Sequence, residues 1–256
     1  RGARAKRITI PAGWGTRLHD QADFDASMGE LGGCEGYHAE SLRGRVCSLQ
    51  LKLRKASAHF RRAAEIHRQA PRLADPIQVG LTAAYVREHA LVVGAKLPRQ
   101  VPAIMLECGQ KLRAIESLHR SLDALECLHG GIAEDAKLTF TTLLEEHGDA
   151  GPERRALWNL GLGVASLQLD ERKAAERCLD NAGLHVCDPD CRTLGRAQIS
   201  AWLAHVHQFA GADRSSREWW CFLEATQCPE ATMVAMKRRA ALLADRSLQL
   251  GRCVLI

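Results

Sequence analysis

From His38 onward, apolar and small residues recur at three- and four-residue spacing, which places one stripe of side chains along the same face of an α-helix. The stripes are interrupted at Pro71–Pro76, Gly94–Pro102, Gly130-Gly131, Gly148–Pro152, Asp188-Pro189, Gly211 and Cys228-Pro229, where residues that end or break helices gather. This spacing predicts helices near 38–52, 54–70, 77–94, 101–108, 110–129, 132–147, 153–168, 171–183, 193–209, 213–227 and 230–249. Alternation with a period of two does not persist over a useful length, so strands are not expected. Residues 1–36 lack a sustained helical period and include Pro11, Gly13, Gly15 and Gly32. They read as an irregular arm ahead of a helical domain over 37–250.

A second regularity is superposed on the helical period. Gly44 is followed twelve positions later by Ala56, then by bulky Phe60 and small Ala63. The same frame returns at Gly163, Ala175, Leu179 and Ala182, and more loosely at Ala204, Ser216, Trp220 and Leu223. Physically this describes a helical hairpin whose first helix carries a small residue where the second crosses closely, and whose bulky residue is expected to fill the space between hairpins. Neither helix buries its apolar face alone, so such hairpins stack.

These residues resemble the tetratricopeptide repeat (TPR), a helix–turn–helix family. The stretch Leu160–Leu179 is nearest to the family pattern, and Gly109–Ser121, with Ala114 and Leu118, fits a turn and second helix. There Pro102 stands in the small-residue slot of the first helix, a departure from the family. The resemblance implies an all-α fold: a right-handed α-solenoid of stacked antiparallel hairpins with about ten helices. Its clearest units are 37–70, 95–129, 153–187 and 193–228, and 230–249 is expected to cap the last hairpin. It also implies a concave groove that binds a peptide or helix of a partner protein. The inner-face positions are Arg45 and Ser48 beside His38 and Ser41, then Leu160, Val164 and Leu167, then Trp202, His205 and Gln208. The Lys and Asn pair with which the family clamps a C-terminal carboxylate is absent, because its slots hold Leu160, Val164 and Leu167; the middle of the groove is expected to be apolar.

Composition narrows the remaining classes. With 46% hydrophobic and 25% charged residues, the chain matches a globular protein rather than a disordered or fibrous one. The longest apolar run, Ala90–Ala95, is too short to span a bilayer, and Arg1, Arg4, Lys6 and Arg7 precede too few apolar residues for a signal peptide. The first residue is not methionine, as in a fragment or processed chain. Ten scattered cysteines read as reduced thiols of a cytoplasmic protein. A net charge of +5, from 35 basic and 30 acidic residues well interspersed, does not suggest nucleic acid as the principal partner.

No phosphate loop, nucleophile elbow, zinc-protease helix or kinase signature occurs, so the chain reads as a non-enzymatic module without a cofactor. Gly161-Leu-Gly163 follows no strand and lacks a phosphate-binding lysine. Two alternatives remain. Trp202, Arg45 and the basic residues Arg1–Arg7 would serve an RNA-binding helical repeat. His185, Cys187 and Cys191, with one of His205 and His207, would serve a zinc site, although the last two point apart on a helix. The simpler reading of Asp188-Pro189-Asp190 is a capped turn that starts the next helix. Trp219, Trp220, Phe209 and Phe222 are expected to pack within their hairpin, and the last helix, Pro229–Leu250, presents Met233, Val234, Met236, Ala240, Leu243 and Leu250 opposite Lys237, Arg238, Arg239 and Arg246.

Overall fold

The computed structural model describes residues 10–71, 75–94 and 113–249. Within them the regular structure is helical and no strand is formed. A short π-helical turn, Thr16–Asp20, precedes α1 (Phe24–Leu31), α2 (Tyr37–Leu49), α3 (Leu53–Gln69) and α4 (Pro76–Val93). Then come α5 (Arg113–His129), α6 (Ala133–Glu146), α7 (Pro152–Gln168) and α8 (Arg172–Val186). The described part ends with α9 (Thr193–Phe209), α10 (Asp213–Ala225) and α11 (Glu230–Gln249). The expected helix over 101–108, with Pro102, Gly109 and Arg1–Arg7, lies outside the described residues.

Local chemistry sets several boundaries. Asp75 accepts a hydrogen bond from the Ile77 N–H, Pro76 occupies the first turn where no donor is missed, and Gly94 ends α4 in the left-handed conformation at φ 70°. The N-terminal arm is more regular than its sequence suggests. Asp23 caps α1 by accepting from Ala26 N–H at 2.9 Å, and Phe24, Ser27 and Leu31, spaced by three and four, are its buried face. The stripe is only eight residues long and contains Gly29, so its period is hard to see in isolation.

Helices α2 and α3, α5 and α6, α7 and α8, and α9 and α10 pack as consecutive pairs. The close crossings fall where small residues recur. A Cβ on Gly44 would stand 2.6 Å from Cε1 of Phe60, and one on Gly163 would stand 2.7 Å from Cδ2 of Leu179. Ala56, Ala63, Ala175 and Ala182 are buried, and bulky Phe60 and Leu179 lie against the small residue of their own hairpin, not only between hairpins as the spacing suggests. The expected first helix of the 95–129 unit lies outside the described residues; among these, α5 packs against α6 and touches α4, α7 and α11.

The helices α2, α4, α5, α7 and α9 touch one another in succession, and α11 touches all five. Thus α11 does more than cap the last hairpin: it lies along this inner row and forms part of the main core through Ala235, Met236, Ala240, Ala244 and Leu248. Two of the three arginines expected opposite its apolar face turn inward, while Arg238 stays exposed. Arg239, 4% exposed, pairs with Glu88 of α4, while Arg246 donates to the Leu91 carbonyl near the C-terminal end of α4. A cation at that end also meets the negative pole of the α4 dipole. Gln168 of α7 donates to the carbonyls of Leu128 and Ser247, joining three helices, whereas Val234 is exposed. The arm closes the other side: Thr232 Oγ1 donates to the Ala22 carbonyl at 2.7 Å, and Arg192, just before α9, lies 3.8 Å from Asp20.

Candidate functional site

Between the inner row and α11 lies a half-open chamber of about 350 Å³, within the size range of small-molecule pockets. Its walls come from all five inner helices and α11. Leu81, Leu91, Leu118, Leu122 and Leu157 supply much of the apolar surface, joined by Met236 and Leu243 from α11. The polar lining is sparse. Arg45 lies over the Tyr85 ring at 4.4 Å and donates to its hydroxyl at 3.0 Å. Glu88 is engaged by Arg239, and Glu153 accepts from the Arg192 backbone N–H at 2.9 Å. Ser121 receives the Trp158 indole N–H at 2.6 Å.

Three buried side-chain nitrogens of residues lining this chamber lack a hydrogen-bond partner: Arg45 Nε, Trp202 Nε1 and Arg239 Nη1. All three are donors.

Of the inner-face positions read from the sequence, Arg45 and Trp202 meet in this chamber although they lie on α2 and α9. Ser48 is buried and bonds to His89 Nδ1 at 3.0 Å, while Ser57 meets Nε2 of the same ring at 3.0 Å, so His89 ties α2, α3 and α4 together. Burial and the nearby Arg239 charge push the His89 pKa down. Leu160 and Val164 are fully buried in the core, and Leu167 borders a separate crevice with Leu179 and Leu248. His205 meets the edge of Trp220 at 4.9 Å and Gln208 is exposed. The chamber residues missed by pattern reading include Tyr85, Leu157 and Arg239. Only Arg239 had a readable signal, because it falls within the stripe Met236, Ala240, Leu243 at helical spacing.

The histidine and cysteine cluster does not assemble. Among the described residues no group of three His, Cys, Asp or Glu side chains is arranged to hold a metal ion. Cys187 is exposed, while Cys191 is buried and its thiol is pushed up to about 11, chiefly by that burial and then by Glu153. Asp188 instead accepts from the Asp190 N–H, making the turn that leads to α9. The eight described cysteines are free thiols. No helix among the described residues is long and apolar enough to cross a membrane.

No family model matches this chain, and no curated protein or solved structure matches it.

Proposed function

We propose that the chain is a non-enzymatic protein-interaction module, a TPR-like solenoid of stacked hairpins whose inner face receives an amphipathic helix. The observation that supports this reading is the position of α11, which lies along α2, α4, α5, α7 and α9. A helix suited to that face needs small residues at close approaches, as at Ala235, Ala240 and Ala244 of α11. It also needs bulky residues such as Met236 and Leu248 to fill the gaps, and an arginine to meet Glu88. In this chain α11 meets those requirements, and a partner presenting a similar helix takes its place by exchange. This is recognition of a helix in a groove, with anchors at three- and four-residue spacing.

The test uses the full chain carrying Arg239→Ala and Arg246→Ala, which loosen α11 at α4. A fluorescent peptide of the sequence Pro229–Gln249, bearing a photo-reactive group, is titrated into this protein and the cross-links are mapped. Saturable binding with cross-links to α4 and α9 is expected. Absence of binding, or cross-links confined to α3, α6 and α8, would overturn the proposal.

A further inference from the structure

The helices α3 and α6 turn faces of opposite charge to solvent. α3 packs on α2 and α4, and its buried residues are Ala56, Phe60, Ala63 and His67; α6 packs on α5 and α7, with Ala133, Ala136, Phe140 and Leu143 buried. At about 3.6 residues per turn, the opposite side of α3 holds Arg54, Lys55, Arg61, Arg62 and Arg68 with one acid, Glu65, all of them exposed. The opposite side of α6 holds Glu134, Asp135, Glu145 and Glu146, also exposed. Five bases against one acid give α3 a net charge of +4, and four acids against Lys137 give α6 a net charge of −3, in a chain of only +5.

A helix face that meets only water usually interleaves the two signs. On α10, for example, Arg214 pairs with Glu218 one turn on at 3.0 Å. On α3 Glu65 is taken by Arg68, and on α6 Glu146 is taken by Arg120. Arg54, Lys55, Arg61 and Arg62 form no ion pair with a described residue, and neither do Glu134, Asp135 and Glu145. The apolar positions complete the match. Leu138 stands amid the α6 acids and is 69% exposed. The corresponding place on α3, between Arg54-Lys55 and Arg61-Arg62, holds small Ala58.

We propose that α3 of one molecule binds α6 of a second copy of this chain, antiparallel, with Leu138 seated on Ala58. In that register Glu134 and Asp135, four and three residues before Leu138, face Arg62 and Arg61, four and three after Ala58. Glu145 then falls beside Lys52, and Glu65 meets only Gly131. The parallel register sets Glu145 against Glu65, each seven residues past the central contact, and is disfavoured. A membrane or a nucleic acid would meet α3 alone and leave the α6 acids and Leu138 unused. Among the described residues, α3 also exposes no aromatic or large apolar side chain to stack on bases or enter a bilayer. The contact joins two different faces, so each molecule keeps one of each free and association continues head to tail. A single helix-on-helix contact is small, which makes it weak and reversible, and its exposed charges make it sensitive to salt. It lies outside the inner row and is independent of the exchange of α11.

The test is sedimentation velocity of the full chain over a range of protein concentrations, at about 0.05 M and about 0.5 M salt. The weight-average sedimentation coefficient is expected to rise with concentration at low salt and to stay near the monomer value at high salt. Arg61→Glu with Arg62→Glu removes only the basic face, and Glu134→Lys with Asp135→Lys only the acidic one. Each variant alone is expected to be monomeric. Mixed, they are expected to form dimers that grow no further, because one protein keeps its acidic face and the other its basic face. Lys173→Glu with Arg177→Glu on α8 makes the same change in net charge as the basic-face variant and is expected to associate like the unaltered protein. Leu138→Ala, a mild change at an exposed site, is expected to weaken association about fivefold with Tm unchanged. Three results would overturn the proposal: a chain that stays monomeric at low salt, whatever else α3 then binds; association that persists in both charge variants; or a mixture that associates no more than its components while circular dichroism shows both folded.

Discussion

Replacing Gly44 by alanine tests the hairpin register with a single methyl group. The new Cβ would stand 2.6 Å from Cε1, 2.7 Å from Cδ1 and 3.0 Å from Cζ of Phe60. Carbon atoms pack best at about 3.5–4.0 Å, so the ring must retreat by roughly 1 Å. Phe60 is buried, and its ring rests against His89 with centroids 5.6 Å apart, which limits where it can go. Overpacking of this kind costs about 1–3 kcal/mol. Against that, alanine is favoured over glycine inside a helix by about 1 kcal/mol. The expected net loss is about 1 kcal/mol and reaches about 2 if the ring cannot relax, a fall in Tm of roughly 2–8 °C for a chain of this size. Gly29 in α1 is the control: no atom lies within 4 Å of its added Cβ, so the same substitution is expected to raise Tm by roughly 1–4 °C. Thermal melting of both variants, with Phe60→Leu added to Gly44→Ala as a relief mutation, measures the difference. If Gly44→Ala stabilises the protein as Gly29→Ala does, or Phe60→Leu leaves its effect unchanged, the crossing of α2 and α3 at these residues is wrong.

Two further outcomes follow from burial. His19 and His129 are held down at about 4, both mainly by burial, with Arg45 and Arg192 adding to the effect at His19 and Arg246 at His129. In the unfolded chain each binds a proton near pH 6.5, so between about 6.5 and 4 the unfolded state carries more protons, and stability is lost as pH falls through that window. Each ring contributes at most about 3 kcal/mol, less after allowance for its partial exposure; urea unfolding at pH 7 and pH 5 should show the loss, and equal midpoints would refute it. Iodoacetamide near neutral pH is expected to modify exposed Cys187 and Cys221 well before Cys191, whose thiol sits at about 11; mass spectrometry showing Cys191 modified as fast would contradict its burial.

The parts of the fold that could be read in advance are those set by short-range spacing. Gly44 with Phe60, and Gly163 with Leu179, belong to hairpins whose two helices are joined by a few residues, so one stretch of sequence holds both sides of the contact. The role of α5 is a long-range matter. Its stripe fits either helix of a hairpin, and its contacts with α4, α7 and α11 come from segments outside any one hairpin. Arg239 illustrates the same limit at the site. A basic residue on a terminal helix is ordinarily solvated, and here its burial depends on Glu88, 151 positions earlier. Arg45 and Trp202 were legible as inner-face residues, but only the ordering of five helices around α11 brings them into one chamber.

The central claim is that the inner row holds a helix and that α11 is its occupant. Amide hydrogen exchange read by mass spectrometry tests this directly. If α11 is seated, the amides of Met236–Ala244 should exchange as slowly as those in the middle of α9, because both open only when the inner row opens. If instead those amides exchange as quickly as the exposed turn at Gly148–Gly151, α11 does not occupy the face and the account fails.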